Sequence, residues 1–162
     1  QFDSDNLLED GAIGAGETIT YAMVDDYGVS CDADENGIAD GMPCNLGRNN
    51  GGGFQTVARS IDALNFDYLD INGNSILDRT ATPWQVPAGQ IADIQSVRVS
   101  IVARSGDSIP AMFINHTDST VYRNRPRDTD GDGTPDTADI ILPAQNNDFR
   151  RMQVTTEIDC RN

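Results

Sequence analysis

Three stretches of this chain share a spacing that suits neither a helix interior nor a strand, and they divide the rest into short segments. The densest is Asp128-Thr129-Asp130-Gly131-Asp132-Gly133-Thr134-Pro135-Asp136, where four carboxylates crowd into nine residues. Like charge at that density is stable only around a cation. Loops that wrap Ca²⁺ draw oxygen ligands from positions 1, 3 and 5, a main-chain carbonyl at 7, then 9 and 12, with Gly at the sharp turn. Those places hold Asp128, Asp130, Asp132, Thr134, Asp136 and Asp139.

The same spacing recurs twice. The first acidic loop offers Asp32, Asp34, Asn36, the Ile38 carbonyl and Asp40; the second offers Asp70, Asn72, Asn74, the Ile76 carbonyl and Asp78. Their twelfth places are Pro43 and Ala81, so neither has the bidentate carboxylate of a helix-loop-helix hand. The spacing therefore predicts one to three Ca²⁺ ions in loops between strands. Mg²⁺ fits less well, because it demands rigid octahedral geometry and keeps its waters. The second loop carries a competing signal, since Asn72-Gly73 is a strong two-residue hairpin turn. The alternative for all three is a solvated, Asx-rich turn.

The loops hold 11 of the 26 acidic residues and dominate a net charge of -15, which three Ca²⁺ would bring to -9. A surface of that sign repels phosphate backbones and anionic headgroups, so neither nucleic acid nor direct membrane contact is expected. All 11 basic residues are arginine. No apolar run reaches the roughly 18 residues that span a bilayer, and the opening Gln1-Phe2-Asp3 is not a secretory signal. At 162 residues a single domain over 1–162 is expected, large enough for a hydrophobic core.

Cys31 and Cys44 bracket the first acidic loop and suggest a staple, with Cys160 left over. Closing a loop of that length stabilises by about 3 kcal/mol in the chain-entropy model. It also implies an oxidising compartment, where Ca²⁺ is abundant.

Hydrophobic alternation predicts strands over 18–24, 45–48, 94–103 and 149–160, with a weaker one at 111–114, and Ile140-Ile141-Leu142 is a short apolar run ended by Pro143. Within 94–103, Val97, Val99, Ile101 and Ala103 face one way and Arg98, Ser100 and Val102 the other, and one face is expected to be buried. In the last strand Met152, Val154, Thr156, Ile158 and Cys160 share a face. Val57, Ile61 and Leu64 lie at helical spacing, predicting a short helix that feeds a strand through Phe66 and Tyr68. A turn of helix is expected within 1–12. Several strands with one apolar face each need a cover, yet no long amphipathic helix is present to supply it.

Chemistry is poorly provided for. The sole histidine, His116, lies in a polar stretch without a serine or cysteine motif, and the acidic loops close around a cation and leave little room for substrate. No catalytic centre is expected. Trp84, between Pro83 and Pro87, fits either a partner-binding aromatic or a ring over the core edge. Asn115-His116-Thr117 matches a glycosylation acceptor, a tripeptide common by chance.

Four blocks, taken together, resemble a known family. These are Thr18-Ile19-Thr20-Tyr21; Ala58-Arg59-Ser60-Ile61-Asp62-Ala63-Leu64-Asn65-Phe66-Asp67-Tyr68-Leu69-Asp70; Ile94-Gln95-Ser96-Val97-Arg98-Val99-Ser100; and the ending from Phe149-Arg150-Arg151-Met152 to Arg161-Asn162. Over about residues 17–162 they are similar to the globular part of PilW-type minor pilins of bacterial type IV pili. The resemblance implies an α+β, pilin-like fold: an antiparallel β-sheet with long calcium-binding loops, covered by an N-terminal helix that is missing or truncated here. It implies a non-catalytic subunit in pilus assembly or initiation, with other minor and major pilins as partners. The localisation implied is the cell surface, after anchoring on the periplasmic side of the inner membrane through the missing helix. A pseudopilin of the type II secretion system shares the fold and differs in its machine; a secreted Ca²⁺-dependent carbohydrate-binding or adhesion module is the other alternative.

Overall fold

The computed structural model describes residues 19–41, 43–78, 81, 85–106, 117–123 and 140–160. The segments 1–18, 107–116, 124–139 and the expectations placed on them, including the 111–114 strand and His116, lie outside the described residues, as does Trp84.

Seven strands form the described fold: β1 (Thr20–Val24), β2 (Cys44–Asn49), β3 (Phe54–Leu69), β4 (Ser96–Arg104), β5 (Tyr122–Arg123), β6 (Ile140–Leu142) and β7 (Arg151–Asp159). A five-stranded antiparallel sheet runs β1-β2-β3-β4-β7, and β5 pairs with β6 in a two-stranded layer. The only helix among the described residues is a single 3₁₀ segment, Ala88–Asp93. No helix there is long and apolar enough to cross a membrane.

The short helix expected around Val57, Ile61 and Leu64 is instead part of β3, one continuous 16-residue strand. The reason is a bulge. Opposite β4 the register passes from Ile61↔Ala103 to Ala63↔Val102, so Asp62 is an extra residue, and Ser60 just before it takes φ 60°. Inserting one residue breaks the two-residue period and leaves apolar spacings that imitate a helix. The bend also divides the strand's partners. Its first half pairs with β2 and its second half with β4.

The alternation in β4 and β7 is as expected, but along β4 the side that is sealed is the polar one. Ser96, Arg98, Ser100 and Val102 are buried, whereas Val97, Val99, Ile101 and Ala103 are only half-buried. Across the sheet, the polar face is held by side chains in register. Asp67 on β3 stands opposite Arg98 on β4, which stands opposite Glu157 on β7. Arg98 Nη1 lies 3.8 Å from Asp67 Oδ2 and Nη2 lies 3.2 Å from Glu157 Oε2. Ser75 also donates to Asp67, Ser96 to Glu157, and the Ser100 and Thr155 hydroxyls lie 3.0 Å apart.

The bulge aims Asp62 onto the same face, where Arg104 and Arg151 meet it at 3.4 and 2.6 Å. Arg151 also donates to Asp118 at 3.0 Å and to Asn147 at 2.8 Å. Asp118 N–H donates to Asn147 O and Asn146 N–H to Asp118 O, so this one guanidinium ties the sheet to the segments leading into β5 and out of β6. Ile141 and Leu142 of β6 then pack on Ala63 and Val102, with Tyr122 and Ile38 at the margin.

The other face carries the second apolar cluster. Met23, Cys44, Leu46, Ile61 and Leu64 are buried there, with Cys31 and Ala39 of the first acidic loop packed against them. The cover ends at β4. Beyond it Met152, Val154 and Ile158 are 64%, 52% and 56% exposed.

Candidate metal centre

The first acidic loop is built by its attachments. Cys31 and Cys44 are disulfide-bonded with Cα atoms 6.1 Å apart, so the staple expected from sequence is present. On its far side the loop adds to β3 at the bulge: Ala39 N–H donates to Asp62 O and Leu64 N–H to Gly37 O, each at 2.9 Å. Gly37 is required there twice over. It sits at φ 82°, and a Cβ would lie 2.5 Å from Leu64 O.

These anchors gather Asp32, Asp34 and Asp40, which each offer a carboxylate oxygen within 4.8 Å of the others. Main-chain amides orient them. Asp32 accepts from Asn36 N–H at 3.1 Å and Gly37 N–H at 2.9 Å, and Asp40 accepts from Ala33 N–H at 2.7 Å. Asn36 bridges the set, donating to Asp34 Oδ2 at 2.8 Å while its own Oδ1 accepts from Ile38 N–H at 2.8 Å. Ile38 pairs with Ala63 through the groups of residues 37 and 39, so its own N–H and C=O turn away from β3 toward the loop. Burial raises the Asp32 carboxyl above its ordinary value; the Gly37 and Asn36 amides oppose that and the Asp34 carboxylate adds to it. This is the electrostatic setting a hard cation relieves.

The second loop spends its oxygens differently. Asp70 Oδ1 accepts the Asn72 and Asn74 N–H groups at 2.8 Å each, and the Asn72 and Asn74 side-chain amides approach Oδ2 at 3.5 and 3.4 Å. The Asn74 amide, then Asn72, hold this carboxyl below its ordinary value even without a cation. Gly73 closes the turn at φ 77°, Ile76 N–H returns to Tyr68 O, and Asp78 exchanges main-chain bonds with Gln85. Asp70, Asn72 and Asn74 are thus brought together, while Ile76 and Asp78 continue into paired backbone. The third loop, Asp128, Asp130, Asp132, Thr134, Asp136 and Asp139, lies outside the described residues.

Sequence reasoning missed the cleft beside the first loop. A cavity of about 370 Å³ runs between Asp32, Glu35 and Asn36 on one wall and Tyr21, Phe66 and Tyr68 on the open face of the sheet. The alternation of Leu64, Phe66 and Tyr68 was its signal. No family model, characterised protein or solved structure matches the chain.

Proposed function

We propose that this chain is the globular part of a non-catalytic filament subunit of the minor-pilin kind, working in type IV pilus assembly or initiation at the cell surface. The observation that carries the reading is the unfinished layer: an antiparallel sheet whose apolar side chains are half-buried along β4 and exposed along β7, while the polar side chains of β4 are buried. A long amphipathic helix is the element that completes such a face. In this reading the helix precedes Gln1 or belongs to a separate polypeptide, and it also provides the membrane anchor before assembly. Other pilins are the partners.

Ca²⁺ bound by Asp32, Asp34, Asn36, the Ile38 carbonyl and Asp40 rigidifies the first loop in this reading, with the third loop as a further site. The support is the three converging carboxylates. Affinity of about 10⁻⁴ to 10⁻³ M, typical of extracellular modules, makes ~10 mM Ca²⁺ worth about 1 to 3 kcal/mol of stability. The melting temperature should rise accordingly, and Asp34→Asn with Asp40→Asn should remove the first loop's share. A curve indifferent to both Ca²⁺ and chelator overturns the metal.

Methionine oxidation tests the subunit reading. Met152 oxidises readily in the present chain and becomes protected once the helical segment is supplied, joined to Gln1 or added as a peptide. Equal oxidation in both forms overturns it.

A further inference from the structure

We infer that β7 is a homodimerisation edge, pairing antiparallel with the β7 of a second copy about a two-fold axis at Thr155. The two outer strands of the sheet are treated differently. The outer edge of β1 is covered at its C-terminal end by the returning chain, with Val24 bridged to Ser30 and Cys31 N–H donating to Met23 O. β7 is nine residues long, lies at the end of the strand order among the described residues, and pairs with β4 without a register shift. It contains no Pro or bulge, two of the devices that keep an edge from pairing with another chain, and its charges Arg151, Glu157 and Asp159 sit toward its two ends.

Its outward hydrogen-bonding groups can be assigned. Ser105 N–H donates to Arg150 O and Cys160 N–H to Gln95 O, at the two ends of the β4–β7 ladder. Both bonds join an odd-numbered β4-side residue to an even-numbered β7-side residue. Alternation then directs the N–H and C=O groups of Gln153 and Thr155 to the outer edge. A two-fold axis at Thr155 makes Thr155 pair with its own copy and runs the ladder through the whole strand.

The side chains agree with that register. Met152 falls opposite Ile158 of the second copy and Val154 opposite Thr156, all on the open apolar face. Gln153 falls opposite Glu157 and Arg151 opposite Asp159, so no like charges oppose. Shifting the axis to Glu157 would set two glutamates face to face, and shifting it to Gln153 would shorten the ladder to 151–155. The axis stands perpendicular to the sheet, so both apolar faces lie on one side. The interface is isologous and closes at two copies.

Sedimentation velocity over a broad concentration range, with all chains carrying Cys160→Ser to exclude a thiol link, reads the result. The parent chain is expected to pass from monomer to dimer. Thr155→Pro removes an outward N–H and no β4–β7 bond, a place where an edge strand accepts proline. It should weaken association about tenfold or more, with the far-UV circular dichroism unchanged. Independently, Thr155→Cys should oxidise to a covalent dimer, because the paired Cα atoms stand about 5.5 Å apart, whereas Thr156→Cys should not. A chain that stays monomeric throughout, or a dimer that survives Thr155→Pro and fails to cross-link through Thr155→Cys, overturns the inference.

Discussion

The two faces of the five-stranded sheet invert the usual arrangement. One carries the buried side chains of Asp62, Asp67, Arg98 and Arg151, with Glu157 at its exposed margin; the other carries Met152, Val154 and Ile158 and is open on β7. What seals the polar face is the complementarity of its charges, each acid meeting a guanidinium across a strand or a bulge. What leaves the apolar face open is the absence of any described element beyond the first acidic loop. Paired charges and exposed apolar side chains thus lie on opposite sides of one layer.

The contrast is broken most severely from the polar side. Arg151→Met takes the guanidinium from buried Asp118 and leaves buried Asp62 with Arg104 alone, and should cost about 3 to 5 kcal/mol in denaturant unfolding. If the loss is under ~1 kcal/mol, the guanidinium is not what joins the sheet to β5 and β6. Next comes the sheltered end of the apolar face. Cys31→Ser with Cys44→Ser should cost about 3 kcal/mol and release the loop that shields Met23 and Leu46, raising the binding of a hydrophobic dye. Unchanged dye binding would show that the loop stays seated through its bonds to Asp62 and Leu64 alone.

Acid sharpens the comparison at a smaller scale. Burial raises the Asp118 carboxyl, but Arg151 and the Thr120 N–H and hydroxyl outweigh it and hold the group below its ordinary value of 3.8. A depressed carboxyl stabilises the fold above that value, and the contribution is lost as pH falls through the folded-state one. Asp118→Asn should therefore flatten part of the stability loss below about pH 4; an unaltered acid limb would assign that loss to other carboxylates. The smallest effect belongs to the open face, where Val154→Thr should change stability by no more than about 0.5 kcal/mol. A loss several times larger would mean that something already covers β7.

Much of this layer was legible beforehand. The strict alternation of β4 and β7 identified both strands and both faces, and the Cys31–Cys44 staple followed from where the cysteines fall. The bulge hid β3, because an inserted Asp62 makes Val57, Ile61 and Leu64 look helical. The sealed side was misleading for a simpler reason: apolar residues are the ones expected inside, and the paired signs of Asp67, Arg98 and Glu157 become visible only once the register is known. In the first acidic loop the carboxylates of Asp32, Asp34 and Asp40 converge. In the second, the chain turns at Ile71-Asn72 and Gly73 N–H closes on Asp70 O, a longer turn than the two-residue Asn72-Gly73 one, and the amides of Asn72 and Asn74 took up Asp70.

Ion pairs are directional, and the rows from Asp67 through Arg98 to Glu157 fix how the strands slide against one another without help from the opposite side. The residues pointing the other way are then released from specifying the backbone. Their identity can drift toward whatever docks there, so one scaffold can be refitted to many neighbours by rewriting a single layer of side chains while its frame stays the same.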